Sequence, residues 1–323
     1  MSRKNRKLLC ALIGCSLVLI LIFMTDGIQM DINVFLLQYL IKTRYQKLLA
    51  LLLTALCIAV STVIFQTITD NRILTPSIIG LDNLYVLIQT VLLYSLGAQK
   101  MMKISATGNY WLSLVLMLGF SYLLFRILFR YQHYSLYFIL LIGTILSTLF
   151  ASLSSFLQMI IDPNDYLILQ SSLFASFNAI NTDILLLASL LVFFALLIHY
   201  PYFKYLDVLL LGREKALNLG IPYNQVVVRL FLLVSLLVSV STSLVGPITF
   251  LGLLLANLAY QMFKTYKHSI LLPGAVLLGT LALIGGQYLV QNVFSLNVQL
   301  SVILNFLGGL YFIIILLKEG RRL

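Results

Sequence analysis

Apolar runs long enough to cross a lipid bilayer recur along nearly the whole chain. Short polar connections separate them, and they lie at about 8–24, 48–68, 79–97, 110–128, 134–161, 183–200, 226–245, 247–263, 270–290 and 301–317. A hydrocarbon core of about 30 Å is crossed by roughly 17–25 helical residues. Helices also satisfy every backbone polar group within the segment itself. The pattern therefore predicts an all-α membrane protein, a polytopic bundle of about ten transmembrane helices.

Three of these runs have special features. Asp82 and Asn83 interrupt the third run, which we expect to be partly broken. The fifth run is long enough to include an extra short helix before the D-P-N-D segment at 162–165. The first run follows a basic segment, as in a signal peptide, but no small-x-small cleavage site comes after it. We expect it to be retained as the first span.

The composition excludes a soluble protein. Of the 323 residues, 61% are hydrophobic and only 10% are charged, whereas a soluble domain has about 25% charged residues because its surface faces water. The longest polar connection, 201–225, is too short to hold a catalytic domain. We therefore treat residues 1–323 as a single transmembrane domain and exclude a soluble enzyme.

The basic residues indicate an orientation in the membrane. The chain has 21 Lys and Arg against 10 Asp and Glu, and the cations lie mostly between apolar runs, which argues against a nucleic-acid partner. Placing the N-terminus in the cytoplasm puts most of them inside, including Arg321 and Arg322 near the C-terminus, as the positive-inside rule requires. We expect both termini to be cytoplasmic. The basic residues left on the outer face are Lys42, Arg44, Lys47, Lys100 and Lys103.

No energy source is visible in the sequence. It contains no G-x-x-x-x-G-K-[ST] motif for ATP hydrolysis. We interpret His133, His199 and His268 as interfacial residues near span ends, and we predict no catalytic site, metal site or cofactor. An ion-coupled carrier usually has acids in mid-span, but Asp70, Asp82, Asp207 and Glu214 all lie at predicted span ends or in connections. The sequence therefore predicts a conduit that is driven by a separate subunit.

Several ordered motifs carry a family resemblance. They are R-Y-Q-K at 44–47, Gln66, N-R-I-L-T-P-S-I-I-G at 71–80, L-G-R-E-K-A-L-N-L-G-I at 211–221 and G-P-I-T-F-L-G-L-L-L-A-N at 246–257. In order and span position they resemble the permease subunits of ABC importers for iron-siderophores, haem and cobalamin, the FecCD-like family. The resemblance implies a type II ABC importer permease fold in a bacterial cytoplasmic membrane. The 71–77 segment looks closest to a branch associated with catechol-type siderophores.

The sequence departs from the family pattern at three places. Ala256-Asn257 replaces a Pro-His pair, Tyr260 stands where Arg is common, and 297–301 replaces an acidic-Pro-Gly segment. These departures leave the transported chelate open among an iron-siderophore, haem and cobalamin.

The resemblance implies that 212–221 is the coupling helix that docks on an ABC ATP-binding subunit. This short segment is amphipathic, and glycines bound it on both sides, as suits a helix that ends just before Pro222. An ordinary surface loop is the alternative. The implied coupling residues are Gly212, Arg213, Glu214, Ala216, Leu219 and Gly220.

The resemblance implies a docking site on the outer face, and polar residues in the apolar runs suggest a path for the substrate. Arg44 and Lys47 would meet acidic residues on a substrate-binding (lipo)protein, since opposite charges at a rim steer association; the alternative is a pair of interface cations. Gln66 and Asn257 are candidates for the translocation pathway, together with Gln158 and Asn305. Polar residues in spans also form ordinary interhelical hydrogen bonds, so both interpretations stay open.

The leading hypothesis is a permease subunit that imports an iron-siderophore complex with energy from a separate ATPase. Its implied partners are the ATP-binding subunit, the binding protein, membrane lipid and a second permease subunit, either another copy or a related chain. An ion-gradient-driven secondary transporter is the main alternative from another class. A membrane-embedded enzyme acting on lipids would need a clustered catalytic set, which the sequence lacks.

Overall fold

The computed structural model describes residues 3–26, 34–101, 103–130, 136–173, 177, 182–293 and 299–320. This part of the chain is almost entirely helical and has no β-strand. His133, Arg321 and Arg322 lie outside it, as do residues 297 and 298 of the 297–301 segment. The α-helices are α1 (Arg3–Thr25), α2 (Val34–Thr69), α3 (Leu81–Leu96), α4 (Ala98–Met101), α5 (Ala106–Arg130), α6 (Leu136–Ile160), α7 (Pro163–Leu173), α8 (Thr182–His199), α9 (Leu206–Leu209), α10 (Arg213–Asn218), α11 (Tyr223–Val245), α12 (Leu251–Phe263), α13 (His268–Asn292) and α14 (Leu300–Gly320).

These helices confirm the predicted all-α bundle. Within the described ranges, 7 helices are long and apolar enough to cross a membrane. Shorter apolar helices at Leu81–Leu96, Leu251–Phe263 and Leu300–Ile314 occupy the positions of three further predicted runs. Together they agree with the prediction of about ten spans.

Helix α2 is much longer than its predicted run. It has 36 residues, which corresponds to about 54 Å at about 1.5 Å per residue, against a hydrocarbon core of about 30 Å. Lys42, Arg44 and Lys47 therefore lie on a continuous helix that extends beyond the apolar run.

The prediction of an extra helix at the end of the fifth run was wrong. Helix α6 continues to Ile160, and the additional helix, α7, follows Asp162. The Asp162 side chain accepts a hydrogen bond from the backbone N of Asn164 at 2.9 Å. Pro163 occupies the first position of the helix, where its missing N–H costs nothing. Asp162 and Pro163 therefore begin a helix.

Helices α2 and α11 form the centre of the bundle. Most of each is buried, whereas α1 and α6 expose most of their surface. Phe65 of α2 and Phe231 of α11 meet edge to face, with ring centroids 5.6 Å apart. Phe125 of α5 lies 4.8 Å from the same Phe231 ring. Because lipid tails are as apolar as these rings, close packing and hydrogen bonds hold such helices together.

Two groups of four spans share one arrangement. The first comprises α2, α3, α5 and α6, and the second comprises α11, α12, α13 and α14. In each group the chain leaves regular α-helix after the first span, at residues 70–80 (the first break) and 246–250 (the second break). Each break then packs against the fourth span of its own group. The bundle therefore has irregular backbone at two corresponding places.

Candidate transport path and coupling surface

The first and second breaks meet in the interior of the bundle. The first contains the 3-10 helix Pro76–Ile79 and ends at Gly80, with φ 91°, and the second begins at Gly246, with φ 97°. Glycine adopts such values without the penalty that a side chain imposes. Thr75 and Thr249, one from each break, line the same small cavity of about 20 Å³. Irregular backbone at this depth is expected only where it is buried in protein or lines a cavity.

Glycines allow both breaks to pack closely on their spans. A β-carbon at Gly143 of α6 would lie 3.1 Å from the Cα of Ile79. One at Gly308 of α14 would lie 2.5 Å from the Cβ of Phe250. The backbone of each break therefore fits directly against a glycine of the fourth span.

A larger cavity of about 610 Å³, here called the central cavity, lies beside the two breaks. Its wall includes Ser147, near the midpoint of α6, and Phe312, near the midpoint of α14. The cavity therefore lies close to half the depth of these spans, where transporters with broken helices bind their substrates. Its polar lining residues are Thr75, Ser77, Asp82, Asn83, Thr144, Ser147, Thr148 and Thr249.

Asp82 lines both cavities, which corrects the interpretation of its position from the sequence. Its side chain is only 9% exposed, and the hydroxyl of Thr242 donates a hydrogen bond to its Oδ1 at 3.2 Å. The residue does lie in the first turn of a helix, as predicted. That helix begins inside the bundle, however, because the first break packs against the middle of α6. The described residues therefore include an acid within the membrane interior.

The predicted pathway residues Gln66 and Asn257 lie together at one backbone carbonyl. The Gln66 Nε2 donates to the Arg72 carbonyl at 2.7 Å, and the Asn257 Nδ2 donates to it at 3.0 Å. Both side chains are buried, and neither lines the two cavities described above. The Arg72 guanidinium lies 4.6 Å from the centre of the Tyr260 ring, close enough for a cation–π interaction. Because Tyr260 stands where Arg is common, Arg72 here faces an aromatic ring and not a second cation. These contacts fix the start of the first break, and a role in translocation stays a prediction.

The other two predicted pathway residues differ in their contacts. Gln158 of α6 donates to the Thr90 hydroxyl of α3 at 3.2 Å, an interhelical hydrogen bond. Asn305 of α14 has a buried Oδ1 that accepts no hydrogen bond within the described part of the chain. Their role in translocation also stays a prediction.

A short helix forms at the predicted coupling segment. Gly212, with φ 89°, precedes α10, and Gly220, with φ 77°, follows it. The Ile221 N–H donates to the Ala216 carbonyl at 3.1 Å and so closes the last turn. Ala216 is fully buried against the bundle, whereas Leu219 is 64% exposed. The charged side chains of this helix, Arg213, Glu214 and Lys215, are exposed.

A hydrogen-bonded chain that the sequence did not predict joins this region to the bundle. Asp207 in α9 accepts a hydrogen bond from the backbone N of His268 at 2.8 Å, and its Oδ1 lies 2.7 Å from the ring Nδ1. The ring Nε2 lies 2.7 Å from the hydroxyl of Thr67 in α2. His268 is the first residue of α13 and so lies at a span end, as predicted, but its ring is only 2% exposed. The sequence offered one signal for this contact: Asp207 and His268 each lie in or next to a polar connection between apolar runs.

Of the two predicted docking residues, Arg44 has hydrogen-bond partners within the chain. The Arg44 guanidinium donates to the carbonyls of Phe23 and Met24 at 3.1 and 3.0 Å, and so satisfies the open C-terminal turn of α1. Lys47, one turn further along α2, is half-buried. Their docking role stays a prediction, and Arg44 also fixes the position of α1.

Comparisons with known proteins agree in fold and family. The model of the FecCD transport family matches residues 8–318. The petrobactin import system permease protein YclO of Bacillus subtilis is 51% identical over 283 residues, which cover 88% of this chain and 90% of YclO. The petrobactin import system permease protein FatC of Bacillus anthracis is 33% identical over 279 residues, covering 86% of this chain and 79% of FatC.

A solved structure supports the fold over the same length. An inward-facing metal-chelate type ABC transporter chain superposes with a TM-score of 0.80 at 23% identity. The superposition covers 97% of this chain and 99% of that chain. At this level of identity the similarity extends to the fold alone.

Proposed function

Since this chain belongs to the FecCD transport family, we propose that it is the transmembrane permease subunit of an ATP-driven ABC importer for ferric petrobactin or a closely similar siderophore. The observation that carries the proposal is the 51% identity to a petrobactin import permease over nearly its whole length. Petrobactin is a catechol-type siderophore, in agreement with the branch that the 71–77 segment suggests. Residues 1–323 act as one transmembrane domain in this proposal.

The energy for transport comes from a separate ATP-binding subunit that docks on α10. The charged side chains of this helix are exposed, as is Leu219 directly after it, while Ala216 anchors it to the bundle. The chain also has no motif for ATP hydrolysis by a P-loop. ATP binding would move α10 and alternate the transport path between outward-facing and inward-facing forms.

A second permease subunit completes the path. Large apolar side chains are exposed along α6 and α14, including Ile145, Phe156, Phe306 and Leu310. Both spans also contribute residues to the wall of the central cavity. A partner chain that covers them would enclose the cavity between two permeases, leaving the remaining apolar surface to lipid. The partner is a second copy or a related chain.

The orientation places α10 in the cytoplasm, together with both termini. The outer face then receives a substrate-binding protein at the α1–α2 end, near Arg44 and Lys47. Support for this orientation comes from the excess of basic residues on the inner side.

One observation favours a second candidate function. Asp82 is an acid in the membrane interior, and acids at such positions are typical of ion-coupled carriers. A secondary transporter would move its substrate uphill without an ATPase, and this property separates the two proposals.

The substrate is tested by uptake of radioactive iron in cells with and without this chain. The chelates offered are ferric petrobactin, a ferric hydroxamate and haem, with labelled cobalamin alongside. We expect loss of ferric petrobactin uptake alone when the chain is absent, with restoration by the wild-type gene. Unchanged uptake of every compound, or selective loss of another, would contradict the proposal.

The energy source is tested with the purified chain in proteoliposomes, alone and with its second permease subunit, ATPase and binding protein. We expect accumulation of ferric petrobactin only in the complete assembly, and only when ATP is present on the side of the membrane that carries the ATP-binding subunit. An ATPase subunit that binds but does not hydrolyse ATP is the matched control. Uphill transport by the permease alone would favour the secondary carrier.

A further inference from the structure

Asp82 occupies an unusual electrostatic position. Neither the central cavity nor the small cavity beside it is lined by any other charged side chain of the described residues. Within the same residues, no Lys, Arg or His forms an ion pair with Asp82. Its carboxyl accepts a hydrogen bond from the hydroxyl of Thr242, and Ser77 lines both cavities beside it. A carboxyl group in hydrocarbon is costly without a partner of opposite charge, and such residues mark substrate pathways.

The surroundings favour a ligand group that donates hydrogen bonds and carries positive charge. The lining residues close to Asp82 are mainly hydroxyl-bearing, among them Ser61, Thr75 and Thr249, and the carboxyl oxygens are the strongest acceptors among them. In a medium of low dielectric constant, an approaching anion is repelled and an ammonium group attracted. A ferric ion wrapped only by catecholates is strongly anionic. A chelate with an amine on its backbone would offset that charge at this point of the path.

We propose that Asp82 is a substrate-contacting specificity residue that binds an ammonium or other N–H group on an arm of the passing ferric chelate. The contact forms at half the depth of the bundle, where the first break positions Asp82 in the wall of the central cavity. This inference rests on the proposed function, because it requires a ferric chelate to pass through the cavity. It adds a rule for which chelates pass: those with a basic amine are favoured.

The test uses two synthetic bis-catecholate ferric chelates that differ only in one linker amine, free in one and N-acetylated in the other. Uptake is measured in the complete importer carrying wild-type permease, Asp82→Asn or Asp82→Glu. We expect wild-type permease to import the free-amine chelate about tenfold faster, the scale of a hydrogen bond to a charged group. Asp82→Asn should remove this preference by slowing the free-amine chelate, and Asp82→Glu should largely keep it. Asp165→Asn, outside the cavity on α7, is the matched control and should behave as wild type.

The possible outcomes separate this inference from the proposed function. Equal import of the two chelates by wild-type permease would overturn the specificity role alone. So would an equal loss of both chelates in Asp82→Asn when the complex assembles and hydrolyses ATP at the wild-type rate. Failure of wild-type permease to import any ferric chelate would overturn the proposed function and this inference with it.

Discussion

Two adjacent glycines in α14 lie in different surroundings and provide a test of packing at the scale of one residue. A β-carbon at Gly308 would come within 2.5 Å of Phe250 in the second break, whereas one at Gly309 would meet nothing within 4 Å. We expect Gly308→Ala to destabilise the permease by about 1–3 kcal/mol through overpacking. Gly309→Ala should change stability by less than about 0.5 kcal/mol. Thermal inactivation midpoints of the two purified variants check this, and equal midpoints would show that the second break does not pack as described.

The buried His268 ring gives a second prediction for a single residue. It joins Asp207 of α9 to Thr67 of α2 through contacts of 2.7 Å on each side. We expect His268→Ala to lower the free energy of unfolding by about 1–3 kcal/mol, because buried polar groups lose their partners. The half-exposed Asp207 side chain keeps the loss within this range, since water can replace part of the bond. His199→Ala is the control, because that ring bonds to a carbonyl of its own helix and lies near the ring of Tyr202, three residues further along the chain, and so joins no distant elements. A loss equal to that of His268→Ala would contradict the cross-linking role.

The sequence patterns identified some of these residues as important and missed others. The glycines of 71–80 and 246–257 belong to recognisable motifs. The structure explains Gly80 and Gly246 by positive φ angles and Gly252 by close contact with the side chain of Thr62. The depth of Asp82 was not predictable, because it depends on how the first break packs against α6 and not on local spacing. The pairing of Asp207 with His268 is likewise a tertiary contact between residues 61 positions apart.

At the scale of elements, α10 has a buried apolar residue, Ala216, and an exposed apolar residue, Leu219, follows the helix directly. We expect Leu219→Asp, at a 64% exposed position, to leave the isolated permease as stable as wild type. It should nevertheless reduce iron uptake at least about tenfold, because a charge would replace an apolar contact at the interface with the ATPase. Ala216→Asp, at a fully buried position, should destabilise the permease itself.

The measurements for this pair are co-purification of the ATP-binding subunit, uptake, and the thermal midpoint of the permease without partners. Leu219→Asp with normal co-purification and normal uptake would contradict the docking role of α10. A lowered midpoint for Leu219→Asp would instead indicate that this side chain packs within the bundle.

The apolar runs predicted where the spans lie more accurately than how long the helices are. The second apolar run begins at residue 48, just after Lys42, Arg44 and Lys47. Helix α2 nevertheless includes all three, because Arg44 bonds to the end of α1 and the helix extends beyond the hydrocarbon. Apolar length reports the thickness of the lipid core, while helix length depends on neighbours outside it. We expected Asp82 and Asn83 to break the third run, but α3 continues through both residues. The first break lies before that helix, where Thr75-Pro76 and Gly80 supply the local cause.

At the scale of the whole molecule, the two groups of four spans place their breaks at a common depth. This arrangement builds one polar cavity from segments far apart in the chain, Thr75 in the first break and Thr249 in the second. The sequence predicted the bundle, since only helices satisfy the backbone in lipid. It did not predict the cavity, because the cavity arises from the contact between the breaks.

The orientation of the whole molecule decides whether α10 can meet an ATP-hydrolysing partner. We start from a variant in which Cys10, Cys15 and Cys57 are replaced by Ser or Ala, and introduce single cysteines by Asn164→Cys or Lys215→Cys, both at exposed positions. A membrane-impermeant maleimide should label position 164 in intact cells, and position 215 only after the membrane is opened. This follows because α6 and α11 begin on the inner side when the basic residues are placed inside. The reverse labelling pattern would put α10 outside the cell, where no ATPase could drive it, and would contradict both the orientation and the import mechanism built on it.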